Sequence, residues 1–251
     1  ALDEALVKKI HAAVTTGLRY DRNVPGAYRN HKVQVGDAAH GGVYTPPKCL
    51  PDIESLMREF TVWLNSTEMK GLDSFLRAAL SHYHLAHIHP FGNGNGRTAR
   101  ILEAMSMRAA GIKYVPIMLS NYYYRHMDDY FAAFSITRKD KDHDVTHFLK
   151  FVLEGVKDSL NEIRERITRM VRQLVVRQHI TVLRSNQHLT QRQFDLLSLL
   201  LDTPTPFTLK DLSRAILFRP LYRSVSERTA RRDIDKLVGM KFDNLLVAYE
   251  A

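Results

Sequence analysis

A short stretch in the first half of the chain has the residue types of a phosphate-binding loop. Three glycines, Gly92, Gly94 and Gly96, fall within five residues, and apolar residues at helical spacing follow until Gly111. Glycine permits sharp turns and a close approach of ligand to backbone. The first amides of a helix have no partners inside the helix and carry partial positive charge. The stretch therefore predicts an anion site at a helix N-terminus, with phosphate as the common guest.

Two arginines and one histidine add the groups that a reaction at phosphorus requires. Arg97 and Arg100 lie in the first turns of the predicted helix, and a guanidinium binds two phosphate oxygens through its fork of donors. His89 precedes the loop, and an imidazole gains and loses a proton near neutral pH. These residues predict a phosphate-binding loop with a general base at its edge.

Apolar periodicity indicates the elements that position this loop. It predicts helices over residues 2–18, 52–64, 72–88 and 95–110, and a long helix from Val145 to about Leu183. The third of these helices delivers the chain to His89. A helix as long as the last one usually bridges two bodies or packs against a partner.

The segment at about 24–47 differs from its neighbours because glycines and prolines interrupt it. Residues 32–35 alternate in polarity as a short strand does, so we interpret the segment as a β-hairpin flap. A loop is expected at 111–121, and a charged turn at 138–144.

The last part of the chain carries three short helical patterns. Polar residues able to cap a helix precede them at Thr190, Thr208 and 224–227, and residues 244–249 could form a closing strand. Three helices followed by a strand resemble a winged helix-turn-helix domain, with 226–238 as the recognition helix. Its basic residues suit a DNA groove and phosphates, and they are Arg228, Arg231, Arg232 and Lys236.

The glycine-rich stretch resembles the signature of the Fic (fido) family, His-x-Phe-x-Asp/Glu-Gly-Asn-Gly-Arg-x-x-Arg. Asn93 stands where the family usually has an acidic residue. The resemblance extends over roughly residues 10–155 and includes the flap. The matching positions are His89, Phe91, Gly94, Asn95, Gly96, Arg97 and Arg100.

The resemblance implies a mainly α fold, a Fic-type helical bundle with a small β-hairpin flap, joined here to a C-terminal winged-helix domain. The implied domains are a Fic domain at 1–155, a long connecting helix at 145–185 and a winged helix-turn-helix domain at 186–251. The implied reaction transfers AMP from ATP to a Ser, Thr or Tyr hydroxyl of a protein target.

The resemblance also assigns roles to residues of this sequence. His89 is the general base, and Arg97 and Arg100 hold the β- and γ-phosphates. Tyr130 lies near the adenine. The phosphate-binding set is Gly92, Gly94, Asn95, Gly96, Arg97 and Arg100. The target segment aligns by strand addition on the flap, at Val33, Gln34, Val35 and Gly36.

Magnesium is the expected metal cofactor, and Asn93 is its candidate protein ligand. Mg²⁺ favours carboxylate and phosphate oxygens, and an amide oxygen brings no negative charge. The ion would therefore be held mostly by phosphates and water, and a slower transfer or a different donor stays open. The histidines at 82, 84, 87 and 89 lack the spacing of a common zinc site, so packing roles are expected for most of them.

Composition sets the remaining expectations. The formal net charge of the 251 residues is +9, and residues 151–251 hold 17 Lys and Arg against 12 Asp and Glu. Basic charge in both halves permits a nucleotide or nucleic-acid partner. No run of about 18 apolar residues occurs, so no membrane span is expected. The single Cys49 cannot form an internal disulfide, and no signal-peptide pattern is present, so a cytoplasmic location is expected.

Two functions remain open at this point. The first is a protein AMP-transferase that uses ATP and a protein target with a hydroxyl side chain. The second is a DNA-binding transcriptional regulator whose Fic domain binds nucleotide with little or no transfer. Either protein could also form a homo-oligomer.

Overall fold

Twelve helices form in the residues that the computed structural model describes, 2–203 and 207–240. The chain divides into two units, Ala1–Arg164 and Glu165–Ala251. The helices are α1 (Glu4–Thr15), α2 (Leu50–Leu64), α3 (Thr67–Gly71), α4 (Ser74–Ile88), α5 (Asn95–Ala109), α6 (Val115–Arg125), α7 (Met127–Lys139), α8 (Thr146–Ser185), α9 (Gln191–Asp202), α10 (Leu209–Arg214), α11 (Arg219–Tyr222) and α12 (Glu227–Gly239).

Helix α4 joins the two buried clusters of the first unit. Its N-terminal half contributes Ala78 and Ala79 to a cluster with α5, α6, α7 and α8. Its C-terminal half contributes Leu85 and Ile88 to a cluster with α1, α2 and α5. Because both halves of α4 are packed, its last residue delivers His89 at a fixed point of the core.

The flap is shorter in regular structure than the sequence predicts. Within the described residues its pairing is a single antiparallel bridge between Val35 and Tyr44. Val35 N donates to Tyr44 O at 3.0 Å, and Tyr44 N donates to Val35 O at 2.9 Å. Gly36 and Gly42 have φ angles of 94° and 90°, so the backbone turns away next to the bridge and the expected strand pair does not extend.

The loop expected at 111–121 is wrong, because helix α6 occupies Val115–Arg125. Pro116 stands in its first turn, where proline is well tolerated. Val115, Leu119 and Tyr122 bury one face of α6 in the core. The expected turn at 138–144 begins one residue before α7 ends at Lys139. Burial against distant helices stabilises α6 and α7 more than their local pattern indicates.

The second unit packs short helices around its own core. The largest fully buried side chains there include Phe207, Phe218 and Tyr222. Asp233 of α12 is buried and accepts from Arg192 Nε of α9 at 2.7 Å. The expected strand at 244–249 lies outside the described residues, and the winged helix-turn-helix assignment stays a prediction. In the described part of the chain, no helix is long and apolar enough to span a membrane.

Candidate functional site

His89 follows the last residue of α4 in a left-handed backbone conformation, with φ 52° and ψ 56°. Its amide donates to Leu85 O at 3.1 Å and closes the helix. Left-handed conformations are uncommon for residues other than glycine. They cost free energy and persist only where contacts with the surroundings compensate for that cost. The conformation turns the chain sharply into the glycine-rich loop.

The imidazole of His89 has a defined tautomer. Its Nδ1 lies 3.1 Å from Ala86 O, and because a carbonyl only accepts, Nδ1 carries the proton. Nε2 is therefore the basic nitrogen. The pKa of His89 is lowered to about 4, mainly by burial; the bond to Ala86 opposes the shift and the charge of the nearby Arg29 adds to it. At neutral pH the imidazole is uncharged and can accept a proton.

Close packing explains two of the three loop glycines. A Cβ at Gly92 would lie 2.6 Å from Arg22 O. Gly94 has φ 79°, and a Cβ there would lie 2.7 Å from Thr15 Cγ2. At Gly96 the nearest atom to a Cβ would be Arg100 Nη1 at 3.5 Å, so this position is open and faces the space beside the helix.

Helix α5 begins without a side-chain cap. Gly94 is its N-cap residue, and Thr98 N donates to Gly94 O at 2.9 Å, which closes the first turn. The amides of Asn95, Gly96 and Arg97 precede that bond, so they lack acceptors inside the helix. The positive end of the helix dipole lies at the same place.

The side chain of Asn95 holds the loop together. Its Oδ1 accepts from Phe91 N at 2.9 Å, and its Nδ2 donates to Phe91 O at 2.9 Å. The residue is buried. Both ends of the amide are therefore committed to the backbone of Phe91, whereas the sequence predicts a contact with phosphate.

His11 of α1 supports the loop, although no motif in the sequence predicts this role. Its ring stacks on Phe91 with centroids 3.7 Å apart. Nε2 lies 2.9 Å from Asn93 O, and Nδ1 accepts from Gly26 N at 2.9 Å. Burial lowers the pKa of His11. Only the place of a histidine on the apolar face of the predicted first helix could have indicated this role.

A cavity of about 550 Å³ opens beside the loop. Six residues of the predicted site line it, namely Val35, Gly36, His89, Gly96, Arg100 and Tyr130. The structure places the other seven predicted residues outside its lining, namely Val33, Gln34, Gly92, Asn93, Gly94, Asn95 and Arg97. The flap, the end of α4, the start of α5 and helix α7 thus converge on one space.

The chemistry of the cavity suits a ligand with a flat ring and an anionic group. Arg100 and Arg138 bring two guanidinium groups to its wall, and none of its described lining residues is Asp or Glu. Arg138 lies over the Tyr44 ring at 4.7 Å from its centroid. The aromatic lining residues are Tyr44, Tyr123, Tyr124, Tyr130, Phe131 and Phe134. Aromatic walls with cationic ends fit a nucleotide.

Arg97 points away from this cavity. Its Nη1 donates to Val14 O at 2.9 Å, and its Nη2 donates to the Tyr20 hydroxyl at 3.1 Å. The guanidinium therefore joins α5 to the end of α1. The predicted pair of phosphate-binding arginines is separated in this structure: of the two, Arg100 lines the cavity and Arg97 does not.

Tyr130 lines the cavity, and its hydroxyl belongs to a buried polar network. Its hydroxyl lies 2.9 Å from His82 Nε2, and His82 Nδ1 lies 2.9 Å from Glu103 Oε2. Glu103 Oε1 accepts from the Tyr123 hydroxyl at 2.9 Å. Burial is the main cause that raises the pKa of Tyr130. The network fixes two aromatic rings of the cavity and ties α4, α5, α6 and α7 together.

The donor set does not fit a protein-held metal. Asn93 Oδ1 accepts from Gly94 N at 2.6 Å, and this amide carries no charge. Among the described residues no group of three His, Cys, Asp or Glu side chains could hold a metal ion. His84 packs against Trp63 and His87 stacks on Tyr44, as expected of packed histidines.

One protein family matches the first part of the chain. Residues 1–106 match the model of the Fic/DOC family. The Fic/DOC match contains the whole stretch from His89 to Arg100, and it ends before Tyr130 and the cavity residues of α6 and α7.

Two named proteins match part of the chain in sequence. "Protein adenylyltransferase Fic" of Drosophila melanogaster is 30% identical over 163 residues, which are 64% of this chain and 31% of that protein. The protein of the same name from Drosophila mojavensis is 29% identical over 163 residues, which are 64% of this chain and 30% of that protein. The chain thus spans about a third of the length of these curated relatives.

A solved structure shares the fold. The crystal structure of a Fic family protein from Desulfovibrio desulfuricans G20 aligns with a TM-score of 0.54 and 18% identity, and covers 96% of this chain and 64% of that chain. At this identity the likeness concerns the fold alone.

Proposed function

We propose that this chain is a protein AMP-transferase, which moves AMP from ATP to a Ser, Thr or Tyr hydroxyl of a protein target. The observation that carries the proposal is the shared cavity, which His89, Gly96 of the α5 N-terminus and Arg100 all line. The Fic/DOC match over residues 1–106 and the adenylyltransferase names of the relatives support it.

The proposed reaction is a displacement at the α-phosphorus of ATP. The target hydroxyl oxygen forms the new bond to phosphorus, and the bond to the pyrophosphate oxygen breaks. His89 Nε2 takes the hydroxyl proton as general base. The free amides at the start of α5 and the Arg100 guanidinium stabilise the charge that develops on the phosphate oxygens. Pyrophosphate leaves with the electron pair of the broken bond.

The adenine and the target occupy opposite parts of the proposed site. The aromatic residues of α6 and α7 hold the adenine ring, and Tyr130 is one of them. The flap residues Val33, Gln34, Val35 and Gly36 align the target segment through backbone hydrogen bonds, which is how an extended peptide adds to a strand. Backbone hydrogen bonds of this kind do not select one particular target sequence.

Magnesium, which the family resemblance implies, has no carboxylate ligand at position 93. In the proposal the phosphates and water hold the ion, so the protein contributes little to its affinity. The steps at His89, at the α5 amides and at Arg100 need no metal ligand from the protein. A transfer slower than that of an Asp-bearing relative is the expected consequence of Asn93.

Transfer of labelled AMP tests the proposal. ATP labelled at the α-phosphorus should label the protein itself or a protein in a mixture of candidate targets, whereas ATP labelled at the γ-phosphorus should not. His89→Ala should abolish the label, and His147→Ala, at an exposed histidine of α8, should leave it unchanged. If the wild-type chain labels nothing with any nucleoside triphosphate, the enzyme proposal fails.

A second candidate, a DNA-binding regulator, is favoured by one observation in the second unit. Arg228, Arg231 and Arg232 of α12 are exposed, whereas Lys236 Nζ donates to His188 O at 2.6 Å. Three exposed guanidinium groups on one helix can contact DNA phosphates, and such binding weakens steeply with salt. Salt-sensitive binding to duplex DNA that Arg231→Ala with Arg232→Ala removes would support this role; binding that the pair leaves unchanged would contradict it.

A further inference from the structure

Arg29 is a buried arginine of the flap segment that contacts the start of the glycine-rich loop. The residue is only 3% exposed, and its guanidinium donates to three backbone carbonyls. Nε donates to His89 O at 2.8 Å, Nη1 to His31 O at 2.7 Å, and Nη2 to Pro47 O at 2.8 Å. The backbone amide of Arg29 also donates to Pro90 O at 2.9 Å.

The charge of Arg29 is not neutralised by a carboxylate. Within residues 2–203 and 207–240 no Asp or Glu forms an ion pair with it. Burial lowers the pKa of its guanidinium, because removing a cation from water disfavours the charged form. Holding this group between three carbonyls therefore costs free energy that an apolar side chain would not.

The three acceptors belong to the elements that the proposed reaction must bring together. His31 and Pro47 lie on the two sides of the Val35–Tyr44 bridge, and the third carbonyl belongs to His89 itself. A guanidinium is planar and its donors form a rigid fork, so one group fixes the three carbonyls relative to one another. The carbonyl of His89 is the part of this residue that its left-handed conformation reorients.

We infer that Arg29 is a positioning residue that holds His89 in its left-handed conformation and ties it to the flap backbone on both sides of the Val35–Tyr44 bridge. The inference rests on the proposed role of His89 as base. It links the two halves of the site, because a target segment that fixes the flap also fixes the carbonyl of His89. The charge of Arg29 has a second effect, since it lowers the pKa of His89 in addition to the effect of burial.

Two substitutions in the full chain separate position from charge. Arg29→Lys keeps the charge and loses the fork, so kcat for AMP transfer should fall about 100-fold, the loss that a misplacement near 1 Å can cause. The KM for ATP should stay the same, because Arg29 does not line the cavity. Arg29→Gln should lower kcat as well, and it should shift the acidic limb of the pH–rate profile to higher pH, since the charge is gone. Arg19→Lys, at an exposed arginine, is the matched control.

Nuclear magnetic resonance of ¹⁵N-labelled histidine gives a readout that does not need activity. The Nδ1–H resonance of His89, bonded to Ala86 O in the wild type, should shift or disappear in Arg29→Lys when the His89 backbone relaxes. Thermal unfolding identifies variants that do not fold, and the resonances are compared in the variant that does. An unchanged His89 resonance with unchanged kcat in folded Arg29→Lys overturns the inference. Equal losses of kcat and ATP binding, in proportion to the unfolded fraction, overturn it too. Failure of the proposed function is a different result, namely no transfer by the wild-type chain.

Discussion

His40 of the flap and Asp128 of α7 lie 3.0 Å apart, from Nε2 to Oδ1. The other ring nitrogen, Nδ1, lies 2.8 Å from Asp37 Oδ1. A ring that faces carboxylates at both nitrogens donates from both, so the contacts require the imidazolium form. Next to this pair, Ser135 Oγ donates to Gly41 O at 3.2 Å. Two contacts therefore fasten the tip of the flap to α7 at the rim of the cavity.

The His40 contacts predict a pH-dependent attachment of the flap. The bond to Asp128, followed by that to Asp37, raises the pKa of His40 above its ordinary value. A raised pKa means that the contacts are complete below the ordinary pKa of histidine, as long as both carboxylates are ionised, and are lost as the pH rises through the pKa of His40 in the folded protein. In a ¹H NMR titration, Asp128→Asn should lower the pKa of His40. Asp142→Asn, at an exposed acid of another turn, should not; equal titration curves for wild type and Asp128→Asn would contradict the prediction.

The separation of Arg97 from Arg100 predicts different effects of their removal. Arg100→Gln should weaken binding of a fluorescent ATP analogue about 10- to 100-fold, as expected for one charge-assisted hydrogen bond of about 1.5–3 kcal/mol. Arg97→Gln should leave the affinity nearly unchanged and lower the melting temperature, since it loses the bonds to Val14 O and Tyr20. A loss of affinity in Arg97→Gln as large as that in Arg100→Gln would show that Arg97 turns to the ligand on binding.

The bonds between Asn95 and Phe91 predict a structural cost at this position. Asn95→Asp keeps the shape of the side chain but cannot donate to Phe91 O when ionised, and it buries a carboxylate. The free energy of unfolding of the first unit should fall by about 1–3 kcal/mol, the cost of a buried polar group without its partner. Denaturant titration measures the change, and Asn161→Asp at an exposed position of α8 is the control. A variant as stable as the wild type would mean that the amide donor is dispensable.

Position 93 predicts a weak contribution of the protein to metal binding. Asn93→Asp supplies a carboxylate in the loop that can bind Mg²⁺. In calorimetric titrations, the affinity for ATP should therefore reach its maximum at a lower Mg²⁺ concentration than in the wild type. Asn93→Ala removes the oxygen altogether and should resemble the wild type in its Mg²⁺ dependence. If Asn93→Ala needs much more Mg²⁺, the amide oxygen of Asn93 does bind the ion and the prediction is wrong.

Local pattern was sufficient for helices with a continuous apolar stripe. The helix expected from Val145 to about Leu183 is observed at Thr146–Ser185, and the capping box at Thr190 forms as predicted. Helices α6 and α7 were not predicted, because Val115, Leu119 and Tyr122 are too few to show a clear period in a short segment. Their burial against α4 and α8 supplies the stabilisation, and a sequence does not display contacts between distant segments.

The chemistry of the loop is already written in its residue types. His89, the three glycines and Arg100 are close along the chain, so a turn that enters a helix follows from their types and spacing. Which of these side chains face the cavity depends on how distant segments pack. Arg97 has the same chemistry as Arg100, but it bonds to Val14 O, 83 positions away, and Arg29 reaches His89 across 60 positions. A long arginine side chain can reach several acceptors. Which acceptor it bonds depends on segments that become neighbours only when the chain has folded.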